Sequence, residues 1–142
     1  MYDLVIVGMG PAGATLARLL KPKFSVLALD RYTGADDEHY HKPCGGLLAP
    51  DAQKVLARFG LTLPLDVLVD PQIFSVRTID TGTGMVRHYQ RFYMNLNRRK
   101  FDMWLRSLIP AGVEVHTGAF CKSIVKIPGG YRVTWQEGGE ER

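Results

Sequence analysis

The sequence predicts an α/β fold built on a parallel sheet, with a strand, a glycine turn and a helix at its start and β-hairpins further on. Three observations carry this prediction. The apolar run Leu4 to Val7 is followed at once by Gly8-Met9-Gly10-Pro11-Ala12-Gly13 and then by apolar residues at helical spacing. A second strand-like run, Ser25 to Leu29, returns after one helix length, which is the layout of a βαβ unit. Short strand-like segments separated by glycine-rich turns fill the later part of the chain and read as hairpins.

Composition narrows the classes of function. Of 142 residues, 46% are apolar and 23% charged, a balance that suits a folded chain with one core and not a disordered one. The formal charge of +4 is modest, and the basic residues are scattered apart from Arg98, Arg99 and Lys100. That excludes the clustered footprint of a nucleic-acid binder and suits an anionic small ligand. No apolar stretch reaches the length needed to cross a bilayer, so no transmembrane segment is expected, although peripheral contact with a membrane is compatible with the chain. Leu4 to Val7 lacks a charged leader and lies against glycine and proline, unlike a signal peptide. Cys44 and Cys121 fit neither a disulfide framework nor paired metal-ligand spacing, which points to a reducing compartment, the cytoplasm by default. His39, His41 and Cys44 find no second cluster to complete a four-ligand site, so no metal is expected. No G-x-S-x-G is present, and hydrolytic chemistry has no foothold.

Taken in order, Tyr2 to Val7 is expected as a buried strand, and Leu16, Ala17 and Leu20 after Pro11 predict a helix to about Lys21. Ser25 to Leu29 is the second strand, and Arg31 to Pro50 reads as a long functional loop. Asp51 is placed to cap a helix whose Ala52, Val55, Leu56 and Phe59 share a packing face, with Gly60 to end it. Ile73 to Thr81 and Met85 to Arg91 predict a hairpin around Gly82-Thr83-Gly84. Asn97 is placed to cap an amphipathic helix carrying Phe101, Trp104, Leu105, Leu108 and Ile109, stopped by Pro110. Val113 to His116 follows as a strand, then Ala119 to Ile127 and Tyr131 to Gln136 as a hairpin around Pro128-Gly129-Gly130. His88 and His116 fall within strands and read as structural. Gly138-Gly139 signals a further turn with only three residues after it, so the strand it should introduce is expected to be missing and the chain reads as truncated.

The glycine turn carries the functional reading. Gly8 permits a tight turn, Gly10 lets a phosphate approach the backbone, and Gly13 lets helix and strand pack closely, with Ala17 one turn on keeping that contact tight. Strand, turn and helix together aim backbone N–H groups and the positive helix end at a pyrophosphate. Gly8, Gly10, Pro11, Ala12 and Gly13 are therefore candidate cofactor-binding residues of a Rossmann-like unit. Asp30 lies about 20 residues on, where a carboxylate accepts hydrogen bonds from the adenosine ribose and repels a 2′-phosphate. Arg31 is either a second adenosine contact or a solvated charge. The motif serves NAD and FAD alike, because both present the same adenosine diphosphate half. An NAD-type unit continues promptly into another helix and parallel strand, whereas this chain enters the long loop, which tilts the reading to FAD.

Lys42-Pro43-Cys44-Gly45-Gly46 followed by Arg98-x-x-Phe101-Asp102-x-x-Leu105 resembles the geranylgeranyl reductase group of flavoproteins, within the p-hydroxybenzoate hydroxylase-like superfamily. The resemblance spans nearly the whole chain and less than half of a family member. It implies that Cys44 and Gly45 lie on a loop approaching the flavin, with Gly45-Gly46 letting the main chain run close to a flat ring, and that Arg98 contacts FAD from a helix start. It also implies that backbone near Phe120 and Cys121 passes over the adenine. From the residues alone, Cys44 reads first as a small buried side chain and Gly45-Gly46 as a turn. Arg99 competes with Arg98, and the motif register selects Arg98. The resemblance implies an FAD-dependent reductase of carbon–carbon double bonds in isoprenoid or other lipid-like small molecules, with NAD(P)H as a candidate electron donor. A flavin monooxygenase of aromatic substrates and a non-catalytic dinucleotide-binding fragment are the alternatives. Residues 1–142 are expected to form the N-terminal portion of an FAD/NAD(P)-binding domain. The substrate domain and a second FAD signature, a Gly-Asp motif, are expected beyond residue 142, and FAD binding by these residues alone is expected to be weak.

Overall fold

The computed structural model describes residues 1–20, 22–34 and 42–142. Its elements are β1 (Leu4–Val7), α1 (Pro11–Leu19), β2 (Val26–Asp30), β3 (Leu47–Leu48), α2 (Pro50–Arg58), a 3₁₀ turn (Leu65–Val67), β4 (Ile73–Ile79), β5 (Val86–Asn95), α3 (Arg98–Ser107), β6 (Val113–Thr117), β7 (Phe120–Ile127), β8 (Gly130–Glu137) and β9 (Glu140–Glu141). The chain divides into two compact units, one of Met1–His41 with Asp102–Arg142 and the other of Lys42–Phe101.

The first unit holds the predicted parallel sheet, in the order β1-β2-β6. Leu4 pairs with Val26 and Val7 with Leu29, while Val26 pairs with Val113 and Asp30 with Thr117. Side chains alternate across a strand, so β2 feeds two cores. Val26 and Ala28 pack with Ile6, Met9 and Ala17 on one face. Leu27 and Leu29 pack on the other with Ala119 and, from the hairpin β7–β8, Val133 and Trp135. All five residues of β2 are buried, as a parallel sheet covered on both faces requires. Gly138 and Gly139 do introduce a strand after all: β9 is short, and pairs Glu141 with Gln136 and Glu140 with Glu137.

In the second unit the three strands run β3-β5-β4. Asp80 builds the hairpin turn, its Oδ1 accepting from Gly82 N at 2.9 Å and its Oδ2 from Thr83 Oγ1 at 2.8 Å. β5 runs on to Asn95, beyond the expected end at Arg91, because β3 lies antiparallel to its far end, Leu47 opposite Asn95 and Leu48 opposite Met94. The expected loop from Arg31 to Pro50 thus ends in a strand, while residues 35–41, including His39 and His41, lie outside the described residues.

Two expectations for α2 need correction. The helix starts at Pro50 with Ala49 at its N-cap and no side-chain cap, so Asp51 lies inside the first turn, 3.6 Å from Lys54 Nζ. There its charge favours the positive helix end without closing it. The proposed packing face is also incomplete: no residue of α2 is fully buried, and Val55 and Phe59 are exposed. Leu56 and Ala57 instead line a cavity of about 270 Å³ with Leu48, Leu63, Leu68 and Met94. Gly60, at φ +66°, ends the helix as predicted, with Gly60 N donating to Ala57 O at 3.0 Å. At α3, Asn97 Oδ1 accepts from Lys100 N at 3.0 Å, and Phe101 and Leu105 are buried.

Candidate functional site

The turn after β1 needs its glycines for distinct reasons. Gly8 sits at φ +95°, in the left-handed region that side chains avoid, while its N–H donates to Leu29 O at 2.8 Å. A Cβ on Gly13 would overlap the Gly8 carbonyl oxygen and come within 3.3 Å of Ile6 Cγ2, so helix and strand approach only through glycine. Gly10 is the extended N-cap of α1 and offers no side-chain cap, Pro11 has no N–H to satisfy, and the first turn holds no acidic residue. The first-turn N–H groups of Ala12 and Gly13 therefore have no acceptor in the helix and none from a cap. That arrangement fits an anionic diphosphate.

Asp30 closes β2 directly beneath this turn and is buried. Its Oδ2 accepts from Met9 N at 2.6 Å, and its Oδ1 from Tyr32 N at 2.9 Å. Oδ2 also meets Arg106 Nη2 at 2.7 Å in an ion pair whose side chains are 10% and 5% exposed. Arg106 further donates to Met9 O at 3.0 Å and Tyr32 O at 3.5 Å. Sequence reasoning missed Arg106, because a cation in the last turn of a helix is ordinary. A signal was present: Asp102 and Arg106 are one turn apart, and Phe101 and Leu105 mark that side of α3 as buried.

Arg31 is exposed and lies against its neighbour, with Nη2 donating to Tyr32 Oη at 2.6 Å and the guanidinium 4.7 Å from the ring centroid. Ala119 N donates to Asp30 O at 2.9 Å, which sets the start of β7, with Phe120 and Cys121, beside the end of β2. The half-buried Cys121 directs its thiol at Ser123 O, 3.9 Å away, where the β7–β8 register shifts. Gly8, Gly10, Pro11, Ala12, Gly13, Asp30, Arg31 and Cys121 thus all belong to the first unit, gathered around the β2 terminus.

Cys44, Gly45 and Arg98 belong to the second unit. Arg98 Nη1 lies 3.5 Å from Cys44 Sγ, and Gly46 N donates to the same sulfur at 3.5 Å. Gly45 faces open space. Gly46 does not serve the same purpose: at φ +71° a Cβ there would overlap Leu96 O, and Leu96 N donates to Gly46 O at 2.8 Å. Its glycine is explained by backbone pairing and needs no flat ring.

His116 lies on β6 between two carboxylates, Nε2 at 2.9 Å from Glu114 Oε1 and Nδ1 at 2.8 Å from Glu137 Oε2. Tyr2 Oη donates to Glu114 Oε2 at 2.7 Å. Hydrogen bonding to Glu114 and then Glu137 raises the imidazole pKa above its ordinary value, against the pull of partial burial.

Fold and cradle together define a structural class: the chain has a Rossmann-type fold, which it shares with solved flavin-dependent and geranylgeranyl reductase-like proteins. A geranylgeranyl bacteriochlorophyll reductase-like protein of Thermoplasma acidophilum superposes with a TM-score of 0.78 at 19% identity, over 99% of this chain and 36% of that one. A variant of the flavin-dependent brominase Bmp2 gives 0.76 at 21% identity, over 100% and 36%. For p-nitrophenol 4-monooxygenase PnpA of Pseudomonas putida the score is 0.67 at 20% identity, over 98% and 37%. Among curated proteins, protein CbrA of Escherichia coli is 49% identical over 141 residues, covering 99% of this chain and 40% of the relative. The CbrA protein of Shigella flexneri matches at the same identity over 38% of its length. The chain therefore spans about two fifths of the length of the curated relatives it matches. No protein-family profile matches it.

Proposed function

We propose that this chain supplies the FAD-binding part of a flavin-dependent oxidoreductase that reduces carbon–carbon double bonds in isoprenoid or similar lipid-like molecules. The observation that carries the cofactor reading is the glycine turn that presents an uncapped helix N-terminus directly above a buried carboxylate. The amides of Ala12 and Gly13 bind the pyrophosphate, with Gly8, Gly10 and Pro11 shaping the approach. Asp30 has four lone-pair directions, three of them taken by Met9 N, Tyr32 N and Arg106, which leaves one on Oδ1 for a ribose hydroxyl. Arg31 stands at the adenosine side, and the backbone near Cys121 covers the adenine. In the second unit Arg98 supplies a guanidinium for phosphate or ribityl oxygens, and Cys44 with the open flank of Gly45 lines the ring's approach.

Bound FAD supplies the hydride equivalent, and NAD(P)H is its proposed source. The polypeptide binds, orients and excludes water. Reduction is favoured over oxygenation by the Lys42 to Gly46 and Arg98 to Leu105 motifs. Cys44 and Cys121 form no disulfide framework, which accords with work in the reducing cytoplasm.

Titrating the purified chain with FAD, followed by flavin absorbance and fluorescence, tests the cofactor. Saturable but weak binding is expected, because flavin contacts are proposed to come also from sequence that the longer relatives carry. Tight NAD binding with no flavin affinity overturns the reading. Oxygen uptake driven by an aromatic substrate, measured on the full-length form, would replace reduction by monooxygenation.

A further inference from the structure

Arg106 has no place in the fingerprint that defines a dinucleotide site, yet it is among the most constrained side chains in the first unit. Its guanidinium is 10% exposed and reaches three separate backbone stretches. It holds the carbonyl of Met9 inside the phosphate turn, the carbonyl of Tyr32 beyond β2, and the carboxylate of Asp30 between them. We infer that Arg106 is the positioning residue that sets how the site reads the adenosine ribose, turning Asp30 from a charged two-oxygen acceptor into a charge-balanced single-bond one. The inference rests on the adenine-dinucleotide reading above.

Two physical consequences follow. Oδ2 is consumed by Met9 N at 2.6 Å and Arg106 Nη2 at 2.7 Å, so one ribose hydroxyl is read through Oδ1, and the diol is not gripped by both oxygens. The second concerns charge. A lone buried carboxylate at this position repels a 2′-phosphate, which is how an acidic residue after the second strand selects against phosphorylated ribose. Here an arginine within ion-pairing distance cancels that field at its source. The site therefore discriminates weakly between 2′-hydroxyl and 2′-phosphate ligands, although its sequence motif reads as strongly discriminating.

The experiment measures dissociation constants of ADP and of its 2′-phosphorylated form for the wild-type chain, Arg106→Gln and Asp30→Asn, and compares the ratio of the two. The wild-type ratio is expected within about tenfold of unity, as for a balanced pair. Arg106→Gln unmasks the carboxylate and shifts the ratio about tenfold or more against the 2′-phosphate. Asp30→Asn, close in shape, leaves the guanidinium unbalanced and shifts the ratio about tenfold the other way, so the test stands even if Arg106→Gln fails to fold. A purely structural Arg106 would weaken both ligands by one common factor, and an unchanged ratio in Arg106→Gln or in Asp30→Asn overturns the inference. Absence of ADP binding by the wild-type chain instead removes the dinucleotide reading on which it stands.

Discussion

β2 and β5 are each the middle strand of a three-stranded sheet. All five residues of β2 are buried, whereas β5 is exposed from Val86 through Phe92. Backbone pairing does not by itself decide this: β2 is paired along both sides, and β5 is paired with β4 along its length and with β3 at Met94 and Asn95. What differs is the cover on the faces. β2 lies between the cluster that includes Ala17 of α1 and the one that includes Val133 and Trp135 of β8. Along β5, Val86, Tyr89, Phe92 and Met94 stay exposed among the described residues. Central position satisfies backbone polarity, but only a second layer removes apolar side chains from water.

That contrast can be broken by mutation. Leu29→Ala opens a cavity in a fully buried strand and is expected to destabilise the first unit by about 2–5 kcal/mol, read from the denaturation midpoint. A loss below about 1 kcal/mol would show that the covered face collapses around the gap and that burial there counts for less than its geometry suggests.

A smaller effect is expected from pH. His116 on β6 has a folded pKa above its ordinary value, so the stability it adds is complete below the unfolded value and lost as pH rises through the folded one. Thermal stability of the first unit should therefore fall, through this group, as pH rises above the ordinary imidazole value of 6.5 and through the raised folded one, and His116→Gln should flatten that part of the profile. Amide protection along β5, corrected for intrinsic exchange, should not follow it, and a parallel fall in both units would dissolve the contrast.

The smallest effect is expected at Phe92, 60% exposed: Phe92→Ala should change stability by no more than about 0.5 kcal/mol. A larger loss would mean that this face of β5 is covered in solution.

Legibility in the sequence follows the same division. The βαβ unit was readable because its determinants are local: an apolar run, one glycine at positive φ and another where a Cβ would meet backbone, and a proline at the first helical position. Asn97 as a cap and Gly60 as a helix end were readable for the same reason. Asp51 misled because Pro50, one residue earlier, already has the φ of a first helical turn. Of the candidate site residues, Gly8, Gly10 and Gly13 needed nothing beyond their own segment, and Asp30 needed only its distance from them.

By itself, then, the sequence determined the α/β class, the glycine turn and the position of the carboxylate beside it, because sterics and short-range hydrogen bonding act within a few residues along the chain. Tertiary structure decided what that carboxylate is bonded to. Arg106 lies 76 residues from Asp30, and β3 finds the end of β5 almost 50 residues downstream. No local window registers such pairs, because they form only when packed layers bring distant segments within hydrogen-bond reach.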